Sequence, residues 1–144
     1  MLILNSVYME VKRDTKEKFH VITVESQHLS ANMTADLCKQ ITTHLDEVIR
    51  NVVLKLTGVK TIDDEGAECL VKTQQAFYEA GASFVICEMT TELEDALDHQ
   101  DLLELMNVTH TESEAWDIVQ MEEIERELLD EEGSPGPLSP SGGI

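Results

Sequence analysis

The densest run of chemistry-bearing side chains is Ile62-Asp63-Asp64-Glu65-Gly66, three consecutive acids closed by a glycine. Adjacent carboxylates suit two kinds of chemistry: oxygen ligation of a divalent cation, or the start of a helix, where unpaired amides and the macrodipole favour negative charge. The second accounts for all three acids without a metal, with Asp63 in the capping position and Asp64 and Glu65 in the first turn. No metal is therefore expected. A charged helix start at the end of a connecting loop is exposed and rigidly placed, which suits recognition by a protein partner.

The other candidate groups assemble into nothing familiar. His20, His28, His44, His99 and His110 form no HExxH and no cysteine–histidine spacing of a zinc site, so they are expected to be solvated or singly hydrogen-bonded. Cys38, Cys69 and Cys87 lie far apart, with no CxxC pair, and read as buried thiols in a reducing compartment. The chain has no GxSxG elbow to hold a nucleophile, and no GxGxxG or GxxxxGK[ST] to cradle a dinucleotide or a nucleoside triphosphate. No cofactor is expected. Trp116, Tyr8 and Tyr78 are too few, and too embedded in acid, to build a base-stacking surface.

Charge sharpens these exclusions. Of the net −19, almost all lies beyond residue 60: residues 1–60 hold eight Lys/Arg against seven Asp/Glu, whereas residues 61–144 hold only Lys72 and Arg126 against 22 Asp/Glu. Such a field repels nucleic-acid phosphates and anionic lipid and favours a partner with a basic docking face. Residues 1–14 carry neither a leading positive region nor an apolar core of signal-peptide length, and no apolar stretch approaches the ~20 residues of a membrane span. The expectation is a cytoplasmic protein without membrane insertion.

The elements that must position the acidic run follow from periodicity. Strands are predicted over Val7–Lys12 and Phe19–Glu25, joined as a hairpin through the charged segment 13–18. Met33, Leu37, Ile41 and Leu45 then repeat every four residues, predicting a helix capped by Ser30 or Asn32 with Lys39, Gln40 and Thr43 facing water. Val52-Val53-Leu54-Lys55-Leu56 reads as a central strand. A helix from the acidic run follows, with Ala67, Leu70, Val71, Gln74 and Phe77 inward and Ala80-Gly81 as its end. Ser83–Cys87 is the next strand, parallel to the previous one across the helical crossover. A shorter helix over Thr91–His99 and a short strand at Asn107–Thr109 come next. The last helix opens on a capping box, Thr111-Glu112-Ser113-Glu114, and carries Ala115, Ile118, Met121, Ile124 and Leu128 on one side, with its later turns projecting beyond the domain or packing on a partner. The final twelve residues, GSPGPLSPSGGI, contain all three prolines, and the predicted division is a domain over 1–130 and a disordered tail over 131–144.

From Val52 to Cys87 the chain resembles the STAS family, the domain shared by sulphate transporters and bacterial anti-sigma factor antagonists. The likeness rests on Val52-Val53-Leu54-Lys55-Leu56-Thr57-Gly58-Val59 followed by Ile62-Asp63-Asp64-Glu65-Gly66-Ala67-Glu68-Cys69-Leu70, then on Phe77 through Cys87, and extends loosely over residues 7–120. In that family a hydrophobic strand ends in a segment like D-L-S-G-V and is followed by a D-S-x-G-L-x-x-L helix start. The resemblance implies an α/β fold: a mixed sheet of about five strands with about four helices packed mainly on one face. It also implies a non-catalytic module working through protein contacts. In the antagonists the serine after the motif's aspartate is phosphorylated by a kinase that is also the anti-sigma factor. Here that position is Asp64, and Lys55 stands where the family commonly has a strand-end aspartate.

The implied docking residues are Asp63, Asp64, Glu65, Gly66 and Glu68, and the implied partner is an anti-sigma factor or serine kinase, with a homodimer as a further assembly. Two other functions stay open: an accessory or scaffold subunit of a membrane transporter or signalling complex, and a small enzyme using the acidic cluster.

Overall fold

A computed structural model describes residues 11–133, with side chains as far as residue 129. Strand β1 (Val11–Thr15) pairs antiparallel with β2 (Phe19–Val24), in the register Val11↔Val24 to Thr15↔His20. This first strand runs on to Thr15, past its predicted end at Lys12. Residues 7–10 fall outside the described residues, and Arg13, Asp14 and Thr15 belong to the strand rather than to the hairpin connection. The physical reason is that β1 is an edge strand with Lys12 through Thr15 exposed, so charged side chains cost nothing there and guard the edge against further pairing.

Short β3 (His28–Leu29) leads into helix α1 (Ala31–Thr43), whose cap is Ser30: its Oγ accepts the Met33 amide at 3.2 Å. Central strand β4 (Asn51–Lys55) is followed by β5 (Thr61–Ile62), helix α2 (Asp64–Glu79) and β6 (Phe84–Cys87). Helix α3 (Thr91–His99), strand β7 (Val108–Thr109) and helix α4 (Glu112–Gly133) complete the order. The predicted tail begins inside α4, and residues 134–144 lie outside the described residues.

The main sheet runs β1-β2-β4-β6-β7, antiparallel at its first pair and parallel thereafter; β3 and β5 form a separate parallel pair. Strand alternation divides the core in two. Ile22, Val24, Val52, Leu54, Phe84 and Ile86 face α1, α2 and α3, meeting Leu37, Ile41, Leu70, Phe77, Leu93 and Leu97. Phe19, Val21, Val53, Val85 and Cys87 point to the other face, which α4 covers with Ala115 and Val119. Burial of each Leu, Ile, Val or Phe in these layers contributes about 1.5–3 kcal/mol before the entropy of ordering is subtracted.

Helix α4 departs from its predicted face. Ala115 and Val119 are fully buried and Ile118 is half-buried, but Met121, Ile124 and Leu128 are more than half exposed. On the sheet side beyond Val119, polar residues take over. Ser83 Oγ donates to Glu122 Oε1 at 2.6 Å, Asn51 Nδ2 donates to Glu123 Oε2 at 2.7 Å, and Arg126 reaches Ser83 Oγ and Asn51 Oδ1 at 3.3 and 3.4 Å. The starts of β4 and β6 present Asn51 and Ser83 there, so the helix is matched by hydrogen bonds where the sheet runs out of apolar side chains.

Candidate functional site

The acidic run enters α2 through a turn laced to the segment before α1. The Lys60 amide donates to the Gln27 carbonyl at 2.8 Å and the Asp63 amide to the Leu29 carbonyl at 2.9 Å, continuing the β3–β5 pairing. Thr90 Oγ1 ties the Val59 carbonyl from the far side at 2.8 Å. The approach to the helix is therefore held from two directions, by backbone bonds on one side and by the Thr90 hydroxyl on the other.

Asp63 occupies the capping position of α2 in extended backbone, yet its side chain caps a different helix. Its Oδ2 accepts the Ala31 amide, in the first turn of α1, at 2.8 Å, and its Oδ1 lies 3.2 Å from His28 Nε2. The other nitrogen of His28 meets Thr61 Oγ1 at 2.7 Å. Asp63 thus joins the two helix starts, while Asp64, Glu65 and Glu68 are exposed. Among the described residues none of these three has a cationic side chain within 4 Å. Asp64 and Glu65 are stabilised in the first turn by the helix dipole.

Gly66 is the hidden member of the group. It is buried, and a Cβ there would come within 2.6 Å of Thr34 Oγ1 and 3.1 Å of Ile62 Cγ1, so only glycine lets α2 settle against α1 at this point. The predicted site residues are therefore brought together with distinct tasks: Asp64, Glu65 and Glu68 on the surface, Asp63 in the joint, and Gly66 beneath.

Lys55, at the end of β4, turns to the opposite side of the sheet and pairs with Glu112 Oε1 at 2.9 Å, and that carboxylate raises its pKa. A cavity of about 620 Å³ lies at the ends of β2 and β4, lined by Lys55, Thr57 and Glu88 among others. Two pairs of its polar groups are engaged with each other or with α4: Lys55 with Glu112, and Thr57 Oγ1 with Glu88 Oε1 at 2.8 Å. Burial pushes the Cys38 thiol up to about 11 and the Cys87 thiol to about 12, so neither is a thiolate at neutral pH.

One cluster has no signal in the sequence. His20 on β2 and His44 just after α1 stack with ring centroids 3.9 Å apart, and Glu47 Oε1 lies 2.8 Å from His44 Nδ1 and 3.3 Å from His20 Nε2. Nothing in a 24-residue separation announces this contact; it exists because β2 and the end of α1 meet in space. Three ligand-type residues converge, but His20 already has Thr15 Oγ1 at 2.9 Å on Nδ1 and the Ile49 carbonyl at 3.0 Å on Nε2. The two rings stack at an interplanar angle of 25°, and His44 Nε2 is buried without a hydrogen-bond partner among the described residues.

Fold and site define a mixed α/β domain that presents a fixed, acidic helix start beyond the carboxyl ends of its parallel strands. The chain belongs to the STAS domain family, which matches residues 9–115. Its fold is similar to an anti-sigma-factor antagonist (STAS) domain protein from Planctomyces limnophilus, at 18% identity and TM-score 0.66 over 76% of this chain and 97% of that one. The unphosphorylated anti-sigma factor antagonist SpoIIAA, from Bacillus, gives 13% identity and TM-score 0.62 over 76% and 96%. The murine Solute Carrier 26 family member A9 anion transporter gives 15% identity and TM-score 0.62, over 75% of this chain and 18% of the transporter. No curated protein sequence matches the chain. Among the described residues no helix is long and apolar enough to cross a membrane.

Proposed function

We propose that this domain is a non-catalytic regulatory module that binds a signalling protein through the start of α2, in the manner of an anti-sigma factor antagonist. The observation that carries the reading is the division of labour among the acids. Asp63 is drawn into the joint between the helices, leaving Asp64, Glu65 and Glu68 as a fixed negative surface. Asp64 stands where the family's antagonists have the phosphorylated serine. It supplies about one negative charge where phosphoserine supplies about two, so it mimics the modified state in part and needs no kinase to do so. The module has left the phosphorylation cycle and holds a standing interaction state. Its partner is an anti-sigma factor or serine kinase with a basic docking face, met in the cytoplasm.

The test is to recover what copurifies from the native host with the intact protein and with Asp64→Ser and Asp64→Ala. A kinase or anti-sigma-like protein whose recovery changes at residue 64 supports the reading. Stoichiometric phosphate on Thr61 or near this turn would sink the standing-state part of it. The likeness to the transporter's STAS domain favours a second reading, an accessory subunit of a transporter or a signalling scaffold. Recovery of a transporter subunit, or of the protein itself, indifferent to residue 64 would favour that one.

A further inference from the structure

We propose that the outward face of α4 is a second docking surface, separate from the start of α2, and that its occupant is a basic amphipathic helix of a partner protein. Met121, Ile124 and Leu128 recur at i, i+3 and i+7 and are 57%, 56% and 53% exposed. On a helix of 3.6 residues per turn they form one stripe about 10 Å long. The stripe lies opposite the side that carries Val119, Glu122 and Arg126, which is turned to the sheet.

These exposed side chains do not belong to a loosely held end. Met121 and Ile124 alternate with the residues that fasten the helix: Glu122 to Ser83, Glu123 to Asn51, and Arg126 to both. The backbone beneath the stripe is fixed before any partner arrives, which lowers the ordering cost of binding. Three large apolar residues held toward water on a preformed helix are what a helix-in-groove contact or paired helix requires.

Charge selects the occupant. Asp117 stands one turn before Met121 at the head of the stripe, Glu125 and Glu127 border it on either side, and all three are exposed, while the single cation of α4, Arg126, is committed to the sheet side. A second copy docked through this face would set acid against acid. Anionic lipid meets the same repulsion. A helix with leucine or isoleucine at matching spacing and Lys/Arg on its flanks satisfies both the apolar stripe and its acidic borders. The surface lies across the sheet from α2 and alongside the starts of β4 and β6, so both ends of the domain can be occupied together.

The test titrates the full chain with a labelled Lys/Leu peptide carrying leucines at i, i+3 and i+7, and with a scrambled peptide of identical composition that lacks the stripe. The expected result is roughly tenfold tighter binding of the patterned peptide. That preference should disappear in an Ile124→Ser/Leu128→Ser double variant whose thermal melt matches the parent, and persist in Asp64→Ser, which separates this surface from the α2 site. Equal affinity for the two peptides would overturn the proposal, because charge alone would then account for binding. So would a dimer of the parent protein that the double variant abolishes, since the occupant would be a second copy.

Discussion

His20 is the residue whose surroundings most directly set a measurable property. Burial, and next the neighbouring His44 ring, lower its pKa from the ordinary 6.5. As pH falls through about 6.5 the unfolded chain takes up this proton and the folded chain does not, so the unfolded state binds more protons and stability declines. The decline continues until the lowered folded pKa is passed. The Glu47 carboxyl, held below its usual range by the His44 hydrogen bond, acts later: its contribution is present above about 4.5 and lost as pH falls through its folded value. The urea midpoint is therefore expected to drop between about pH 7.5 and 5.5, above the carboxylate range. His20→Gln, which cannot titrate, should flatten that slope. An unchanged slope would mean that the stacked pair does not govern acid sensitivity. Asp63 shows how one residue's task is set by its partner. The acid at the start of one helix accepts from the start of another because Ala31 lies within 2.8 Å.

Among the elements, the α1–α2 contact places the candidate site, and Gly66 is where it is tightest. Alanine would gain about 1 kcal/mol of helix propensity, but its Cβ would press on Thr34 Oγ1, which is itself bonded to the Ser30 carbonyl at 2.7 Å. Overpacking of this kind costs about 1–3 kcal/mol, so steric pressure outweighs propensity. Gly66→Ala is expected to lower the thermal midpoint in the native background and to lower it less beside Thr34→Ala, which removes the 2.6 Å contact but keeps Thr34 Cβ and Ile62 Cγ1 at 3.1 Å, a coupling that a double-mutant cycle reads directly. The far end of α2 is closed by Gly81 at φ 72°, with the Ala82 amide on the Phe77 carbonyl at 2.9 Å and the Gly81 amide on that of Tyr78 at 3.1 Å. Arg50 adds a bond to the Ala80 carbonyl at 2.9 Å, so both ends of the helix that carries the site are fastened.

At the scale of the whole molecule, the net charge of −19 sets the balance between self-repulsion and local pairing. The ion pairs, such as Lys12–Glu25 and Lys16–Asp14, lie largely in the N-terminal part and are mostly exposed, each worth at most about 1 kcal/mol. Repulsion among the acids of α2, α3 and α4 has little opposing charge nearby. Raising salt from about 20 to 300 mM screens that repulsion more than it weakens the pairs. The expected outcome is a rise of about 2–5 °C in the melting midpoint; a fall would show that pairing dominates.

Local rules made much of this protein legible in one dimension. The Thr111/Glu114 capping box forms with both reciprocal bonds at 3.1 Å, Gly81 ends α2, and the apolar runs at 52–56 and 83–87 become adjacent parallel strands, because each depends on neighbours a few residues away or on burial of a whole run. The acids at 63–65 were equally visible as a helix start, and the family pattern between Val52 and Cys87 pointed to the fold. What the line of residues did not contain was the choice of long-range partner. Asp63 turning to α1, His20 meeting His44, and α4 changing from apolar to polar contacts beyond Val119 depend on which strand ends and helix starts face each other. Those distances arise only when the sheet closes in its register, so tertiary structure alone decided them.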